Sequence, residues 1–443
     1  MISFIVMKKK ICCSAILFIL VSGAFILGMG LPALASGTPD GNWNSYTIAP
    51  DISDSTYIID SAEELAWVAE QVNSGVTTFS GYTINVTQDI DLSAHYWTPI
   101  GTSSTITSNS FQGTFDGNGH KISGLSIGTA ESPSTLVYNG FFGYAKNSSI
   151  KNVGLENVAV YTAITDMMDR AHVGGLVGYL EEASALENCY VTGYLESKKL
   201  SDRGASYTGG VVGELYGELM VPGNATVKNC YSSCVVRANG QVGGFCASIW
   251  SALVINCYST GLVNGVPVPA TSQAGAAGFV AKSESTIYMN SFSRCDVTGT
   301  MKYKAGFAAY TYSCTYINNY ATGCVGGTPG AFFDAQWSNT LSNNYWPDSP
   351  YSLAQMQSDE FTELLNTNAS DLAPSEPKVV QWQRAAAENG GFPQLIGVGD
   401  FSASHAPKIF NLTVNGRLTE GHTLTASYDY SDMDNRAESG TTY

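Results

Sequence analysis

A glycine-led unit that recurs along the middle of the chain constrains the fold more than any other feature. Each unit opens with a small residue and large apolar residues, and it closes with an asparagine that a small residue and an aromatic usually follow. The distance from the opening residue to the asparagine is 12 residues in five units, 13 in one and 19 in one. Steps of 25 to 35 residues between units predict a solenoid or another array of repeats. The units open at Gly140, Gly175, Gly210, Gly244, Gly278, Gly306 and Ala331.

The residue types in these units favour strands over helices. Val, Ile, Thr, Tyr and Phe are abundant, and Gly interrupts them every few residues. We therefore predict an all-β fold, a right-handed parallel β-helix (a solenoid) of roughly eight to ten coils stacked about 4.8 Å apart. Equivalent side chains should then form ladders, and the asparagines should hydrogen-bond along the stack in the left-handed backbone conformation of tight corners. These asparagines are Asn152, Asn188, Asn229, Asn256, Asn290, Asn318 and Asn343.

Two stretches resemble a known family. Residues 172–178 read His-Val-Gly-Gly-Leu-Val-Gly and residues 188–193 read Asn-Cys-Tyr-Val-Thr-Gly, and residues 242–261 repeat the pattern. These units resemble the GLUG repeats of bacterial surface proteins, and residues 111–125 resemble the coil that precedes such repeats. The resemblance covers residues 55–397. It implies a β-helix in an adhesin-like surface or secreted protein, although the same motif also occurs in protease-associated regions.

The N-terminal segment predicts export. Lys8, Lys9 and Lys10 precede an apolar run at 11–31 and the sequence Ala-Leu-Ala at 33–35. This arrangement predicts a secretory signal peptide at residues 1–35, with an uncleaved anchor as the alternative. The remaining chain has 18 basic and 37 acidic residues, so we expect no nucleic-acid partner. The expected location is outside the cell, secreted or at the cell surface, with no membrane insertion once the signal is cleaved.

The segments that flank the repeat suggest how the two ends of the coil are covered. Ser61 and Glu64 open a short amphipathic pattern as a capping box, which predicts an N-terminal capping helix over the open end of the coil. A second helical pattern runs from Leu353 to Leu365. The predicted domains are a polar, mobile leader at 36–54, the β-helix at 55–347, a small C-terminal closing segment at 348–397 and a linker at 398–407.

Residues 408–443 have a different character from the repeat. Residues 408–414 and 422–428 alternate as strands do and resemble the opening of a bacterial immunoglobulin-like surface module. A complete module needs about 100 residues, so we expect this one to be incomplete. Further domains of a longer chain are therefore expected partners.

The cysteines could be disulfides or buried thiols. Eight lie beyond residue 35, and an exported protein usually oxidises its cysteines. However, Cys189, Cys230 and Cys257 share one position of the repeat, where Ser291 and Asn319 follow. A small, buried, stackable position explains this pattern more simply, so a ladder of free thiols is favoured over bridges.

A search for catalytic residues yields weak candidates. None of the five histidines lies in a His-Glu-x-x-His sequence, which disfavours a metallopeptidase. Asp116, with His120 nearby, is the most site-like carboxylate for a polysaccharide lyase or glycosidase. Its sequence, Asp-Gly-Asn-Gly, is typical of a turn, and glycoside hydrolysis needs a second carboxylate. We therefore predict a corner at Asp116 and no catalytic residues.

Two other groups could bind a ligand. Asp429, Asp432, Asp434 and Glu438 could supply oxygen ligands to calcium, although their spacing does not match the calcium-loop pattern. The aromatics after the asparagines would offer a platform for sugar or protein if they point outward, and would be core if they point inward. Strand alternation places them on the face opposite the cysteines, so both rows should be buried only if a corner intervenes. A structural role is favoured for the aromatics, which are Tyr190, Tyr231, Tyr258, Phe292, Tyr320 and Tyr345.

Together these features predict a non-catalytic extracellular or cell-surface β-helical module. It would be adhesive, binding a host or environmental glycan or a surface protein, or it would serve as a surface stalk. The alternatives are a carbohydrate-active enzyme whose carboxylates converge from different coils, and a purely structural spacer. No cofactor and no metal ion are expected.

Overall fold

The computed structural model describes residues 39–103, 106–164, 170–199, 206–218, 223–266, 274–347, 349–376, 378–385 and 389–399, and the strands at 408–415 and 425–431. The predicted signal peptide at 1–35 lies outside these residues. The described chain is mostly β, and its sheets pair mainly in parallel, which confirms the predicted class. No helix in these ranges is long and apolar enough to cross a membrane.

The strands, numbered β1 to β40 along the chain, form one large sheet, two smaller parallel sheets and three two-stranded pairs. The large sheet contains β1 (Asp51–Ser53), β2 (Thr56–Ile59), β3 (Thr83–Val86), β4 (Ile90–Asp91), β5 (Thr114–Asp116), β6 (Lys121–Ser123), β7 (Ser126–Ile127), β10 (Ser149–Ile164), β13 (Ala185–Lys199), β16 (Ala225–Lys228), β17 (Tyr231–Asn239), β20 (Ala252–Ile255), β21 (Tyr258–Val266), β24 (Ile287–Met289), β25 (Phe292–Ser293), β26 (Asp296–Gly299), β29 (Thr315–Ile317), β30 (Tyr320–Ala321), β31 (Cys324–Val325), β32 (Thr328–Pro329) and β34 (Thr340–Ser342).

The six-stranded sheet contains β8 (Tyr138–Asn139), β11 (Ala171–Gly174), β14 (Ser206–Gly209), β18 (Gln241–Gly243), β22 (Gly275–Ala277) and β27 (Tyr303–Ala305). The seven-stranded sheet contains β9 (Phe142–Lys146), β12 (Val177–Glu181), β15 (Val212–Tyr216), β19 (Cys246–Trp250), β23 (Val280–Glu284), β28 (Ala308–Tyr312) and β33 (Phe333–Trp337). The pairs are β35 (Trp346–Pro347) with β36 (Pro350–Tyr351), β37 (Trp382–Gln383) with β38 (Gln394–Leu395), and β39 (Lys408–Asn415) with β40 (Thr425–Ser431).

The chain visits the three main sheets in a fixed order. From β8 to β31 it passes through the six-stranded, the seven-stranded and the large sheet in turn, and each strand pairs in parallel with its equivalent one repeat later. Val177, for example, is in register with Phe142 on one side and Val212 on the other. The repeat units of the sequence therefore correspond to single passes of the chain, and their apolar residues share one continuous core.

Each pass turns at an asparagine. The asparagines that the sequence predicts at the corners have φ between 52° and 55°. This is the left-handed region, which asparagine tolerates better than most residues. Their side-chain amides also hydrogen-bond from pass to pass, with Nδ2 of each donating to Oδ1 of the one before at 2.8–3.0 Å. The predicted asparagine ladder is thus confirmed, and its directly bonded members are Asn152, Asn188, Asn229, Asn256, Asn290 and Asn318.

The predicted first helix is present as α1 (Ala62–Asn73). Its N-cap is Ser61, whose Oγ accepts a hydrogen bond from the Glu64 backbone nitrogen at 3.4 Å, while Glu64 Oε2 accepts from the Asp60 nitrogen at 2.7 Å. Leu65 and Val68 on its apolar face join the main core.

The segment expected as a mobile leader packs on this core where it is described. Trp43, in a 3₁₀ turn at Trp43–Ser45, is buried, and its Nε1 donates to the Leu92 carbonyl at 3.0 Å. β1 pairs with β2. An apolar anchor inside an otherwise polar stretch explains the difference, because one buried tryptophan removes a large apolar area from water.

The C-terminal part of the repeat region carries the second helix, α2 (Asp359–Leu372), shifted from the predicted 353–365. Ser358 sets its start, since its Oγ accepts from the Phe361 nitrogen at 3.2 Å. Residues 353–358 instead form a 3₁₀ turn at Gln355–Gln357 and its flanks. We call residues 359–399 the C-terminal strap, because they lie along the side of the large sheet and contact several passes.

Candidate functional site

The aromatic ladder predicted after the asparagines exists, and a strap covers much of it. Consecutive rings from Tyr190 to Tyr320 stack with centroids 4.6–4.9 Å apart and planes within 4–6° of parallel. Phe292, Tyr320 and Tyr345 lie in a second core with Phe361 and Trp382 of the strap. The structural role favoured from the sequence therefore holds for these three rings.

The cysteine row is buried and the aromatic row is buried or half-buried, although strand alternation places them on opposite faces. Cys189, Cys230 and Cys257 face the main core, while Phe292, Tyr320 and Tyr345 lie in the second core and Tyr258 packs partly buried against it. The expectation that both could be buried only around a corner was wrong, because the strap supplies a second core outside the sheet. All eight described cysteines are free and buried, and the preference for thiols over disulfides stays a prediction. Burial raises the pKa of Cys234 and Cys295 to about 12, so these thiols are unreactive near neutral pH.

Asp116 and His120, the weak catalytic candidates, make separate polar contacts. Asp116 Oδ1 accepts hydrogen bonds from the Asn118 nitrogen at 2.9 Å and from Asn152 Nδ2 at 3.0 Å, and its Oδ2 pairs with Lys151 at 3.1 Å. Asp116 thus makes the predicted turn and also ends the asparagine ladder. His120 lies 3.3 Å from Asp89. In the described ranges, no group of three or more His, Cys, Asp or Glu side chains could hold a metal ion. The proposed calcium group at 429–438 lies outside the described side chains.

A different row of aromatics lies on the seven-stranded sheet, and sequence reasoning missed it. The fourth residue after each unit's opening residue forms one row across the sheet, and the sixth residue forms a second row. The first row is Tyr144, Tyr179, Glu214, Ser248, Lys282, Tyr310 and Ala335, and the second is Lys146, Glu181, Tyr216, Trp250, Glu284, Tyr312 and Trp337. We call the aromatic members of both rows the aromatic face. Their fixed offset from the opening residue was the available signal.

The rings of the aromatic face are tilted rather than stacked flat at its exposed end. Tyr216 and Trp250 lie 5.8 Å apart at 39°, and Tyr310 and Trp337 lie 4.8 Å apart at 49°. Tyr312 and Trp337 are each 46% exposed. In the stacked ladder each ring covers its neighbour's face, whereas tilted rings cover less of each other. The Trp250 ring is also covered by Lys282, whose Nζ lies 4.8 Å from the ring centroid. The electron-rich faces of such rings attract the positive edges of C–H groups.

At the other end of the aromatic face more aromatic rings contact one another, and two carboxylates lie among them. His172 of the six-stranded sheet lies between Tyr138 and Tyr207, with centroids 5.2 and 5.3 Å away, and its Nδ1 is 3.2 Å from Glu214 Oε2. Glu181, on the strand before Glu214, accepts a hydrogen bond from the Tyr144 hydroxyl.

The hydroxyls at this end stay protonated at neutral pH. Burial raises the pKa of Tyr179 far above its usual value, and the charges of Glu214 and Glu181 add to the rise. Burial, with Glu214, also raises the pKa of Tyr207 to about 12. At this end Tyr144, Tyr207 and Glu214 are buried, while Tyr179 and Glu181 are half-buried.

Comparison with known proteins agrees with the repeat described above. Residues 169–194 match the GLUG motif. This match includes the first unit for which the sequence predicted a GLUG repeat, residues 172–193, while the wider extent of 55–397 stays a prediction. No curated protein matches the chain.

A solved structure resembles this chain over most of its length. It is a crystal structure from Bacteroides ovatus described as a candidate immunoglobulin A1 protease, with a TM-score of 0.50 and 18% sequence identity. The alignment covers 78% of this chain and 93% of that one. At this identity the likeness concerns the fold alone.

Proposed function

We propose that this protein is a non-catalytic secreted or cell-surface module that binds an extended glycan along its aromatic face. The single observation that carries the proposal is the row of tilted, partly exposed rings that crosses the seven-stranded sheet. Successive strands lie about 4.8 Å apart, roughly the length of one pyranose unit, so the neighbouring rings Tyr216 and Trp250, and likewise Tyr312 and Trp337, could contact successive sugars. A linear polysaccharide could therefore contact several passes at once.

A right-handed parallel β-helix is the architecture we infer beneath this face. The fixed order of the three sheets and the parallel pairing of equivalent strands support a coil, and parallel connections are overwhelmingly right-handed. We further propose that α1 caps the N-terminal end, where its apolar face joins the core. The antiparallel pair β39–β40 supports an immunoglobulin-like module beginning near Lys408.

An extracellular location is part of the proposal. The predicted signal peptide, the excess of acidic residues and the GLUG motif all support a surface or secreted protein. A surface location would also place the aromatic face where environmental or host glycans occur.

The test compares two exposed tyrosines in the full chain from residue 36. Tyr312 lies on the aromatic face and Tyr46 near the N-terminal 3₁₀ turn, and both are 46% exposed. We expect Tyr312→Ala to weaken polysaccharide binding about tenfold in affinity electrophoresis, and Tyr46→Ala to leave it unchanged. Trp337→Ala should weaken it further. If no neutral or acidic polysaccharide in a broad panel binds, the glycan proposal is wrong. A module that binds a protein, or a structural spacer, would then replace it.

A carbohydrate-active enzyme is the second candidate, and one observation favours it. Glu214 and Glu181 lie on neighbouring strands of the seven-stranded sheet, in register with Tyr179 and Tyr216 respectively, and glycoside hydrolysis requires two carboxylates that face one bond. Both are already engaged, Glu214 with His172 and Ser248 and Glu181 with Tyr144. We expect no new reducing ends and no unsaturated uronate when the protein is incubated with the same panel. If the protein cleaves a polysaccharide and Glu214→Gln abolishes this cleavage, the protein is an enzyme and the binding proposal is wrong.

A further inference from the structure

A cleft of about 690 Å³ lies between the large sheet and the C-terminal strap. This volume falls within the range typical of small-molecule sites. It is separate from the aromatic face, because its residues come from the large sheet and the strap rather than from the seven-stranded sheet. We propose that this cleft is a second binding site, for a short uncharged oligosaccharide.

The sheet side of the cleft consists of two parallel rows. Tyr231, Tyr258 and Phe292 supply ring edges, and two residues further along the same strands Ser233 and Thr260 supply hydroxyls. Residues two apart on a strand point to the same side, so both rows face the cleft. Because the rings are stacked at 4.6–4.7 Å, they present edges and hydroxyls rather than faces. Recognition here must therefore depend mainly on hydrogen bonds.

The strap side of the cleft is held in place by the second core. Asn389 lies at its edge, where Oδ1 accepts a 2.7 Å hydrogen bond from Arg294 and Nδ2 donates to the Pro393 carbonyl at 2.9 Å. Gly399 closes the cleft against Tyr231. A Cβ at position 399 would lie 2.3 Å from the Tyr231 ring, and its φ of +84° also favours glycine. The cleft is thus preformed. The second core holds the strap in place, and Gly399 allows the strap backbone to approach the Tyr231 ring closely.

The chemistry of the lining selects the class of ligand. Among the described residues, all that line the cleft are uncharged, although the chain has a net charge of −16. Gln383 and Gln394 from the strap add side-chain amides to the hydroxyls of the sheet. Amides and hydroxyls both donate and accept, as sugar hydroxyls do. An anionic sugar would find no charged partner on these walls, whereas an uncharged sugar can exchange hydrogen bonds with them.

The tyrosines of the cleft remain donors at neutral pH. Burial raises the pKa of Tyr231 to about 12 and raises that of Tyr258 further. Their neutral hydroxyls match an uncharged ligand and would not repel it at any physiological pH.

The experiment titrates the full chain from residue 36 with short oligosaccharides by calorimetry. The neutral probes are cellohexaose, maltohexaose, xylohexaose and mannohexaose, and the anionic probe is an oligogalacturonate of the same length. Ser233→Trp fills the cleft with a large side chain on an exposed strand position. The matched control is Ser53→Trp, an exposed serine on β1. Both variants are checked for an unchanged unfolding midpoint.

We expect at least one neutral hexasaccharide to bind, Ser233→Trp to weaken it about tenfold or more, and Ser53→Trp to leave it intact. Binding only of the anionic probe, no binding of any probe, or neutral binding that Ser233→Trp does not change would each overturn the proposal. The outcome is independent of the aromatic face. Tyr312→Ala should not affect hexasaccharide binding in the cleft, and Ser233→Trp should not affect polymer binding on the face.

Discussion

Asn368 of α2 donates from Nδ2 to the Oδ1 of Asn318 at 3.1 Å, and so continues the asparagine ladder from outside the repeat. Its own Oδ1 accepts from Asn343 Nδ2 at 3.0 Å. The helix therefore supplies one member of the ladder between two corner asparagines. At the opposite end the ladder finishes on Asp116, a carboxylate that only needs to accept.

Replacing a middle member of the ladder should destabilise the protein strongly. Asn256 donates to Asn229 and to the Lys378 carbonyl, and it accepts from Asn290 and from the Val380 nitrogen. Asn256→Ala should cost about 3 kcal/mol of unfolding free energy, because it leaves buried partners unpaired and strains a left-handed corner.

Asn256→Gly is the matched control for backbone strain. It loses the same hydrogen bonds but tolerates the positive φ, so it should cost about 1 kcal/mol less than alanine. Urea denaturation of the three proteins measures both quantities. Equal costs for alanine and glycine would show that the corner conformation is not strained.

Trp382 should be the main anchor of the C-terminal strap. It is buried in the second core, and its Nε1 donates to Asn290 Oδ1 at 2.7 Å. Trp382→Ala should cost about 3–5 kcal/mol, and amide hydrogen exchange should rise first across residues 359–399. Trp382→Phe keeps most of the packing and should cost less. Exchange that rises uniformly over the whole chain would contradict a strap that detaches on its own.

The eight buried cysteines should be invisible to a thiol reagent in the native protein. Desolvation disfavours their thiolates, and only the thiolate reacts. After unfolding without reductant, a colorimetric assay of the chain from residue 36 should count eight thiols. A smaller count would mean that some of them pair as disulfides in the folded protein.

Alkaline pH should destabilise the protein through its buried tyrosines. The pKa of Tyr207 and of Tyr231 rises from 10.0 to about 12 on folding, because burial disfavours the phenolate. Their contribution to stability is complete below pH 10 and is lost as the pH rises from 10 through 12. The urea midpoint should fall across this window, and Tyr231→Phe should make the fall shallower. An unchanged slope in this variant would show that Tyr231 does not ionise on unfolding.

The features that repeat along the chain could be predicted from the sequence. The asparagine corners and the parallel strands recur at fixed positions in every pass, and three of the buried thiols, Cys189, Cys230 and Cys257, share one position. The capping box at Ser61 could also be predicted, because it depends only on Ser61 and Glu64, which are three residues apart in the sequence.

The features that depend on distant contacts could not be predicted. The strap reaches back so that Lys378 pairs with Glu187, 191 residues earlier, and no repeat signals this contact. The second core was missed for that reason, and with it the burial of the aromatic ladder. The aromatic face was missed because its positions also hold Glu214, Ser248 and Lys282, so its chemistry varies from pass to pass.

The strap also changes how this protein would respond to mechanical load. In a stack whose passes contact only their neighbours, tension applied at one end would unzip the passes one at a time. Here Lys378, Val380 and Leu365 bind the side chains of successive corner asparagines through backbone carbonyls, across three passes. Those passes must release together, so a single larger rupture event replaces a series of small ones. A surface protein exposed to fluid shear would thereby hold its length until that event.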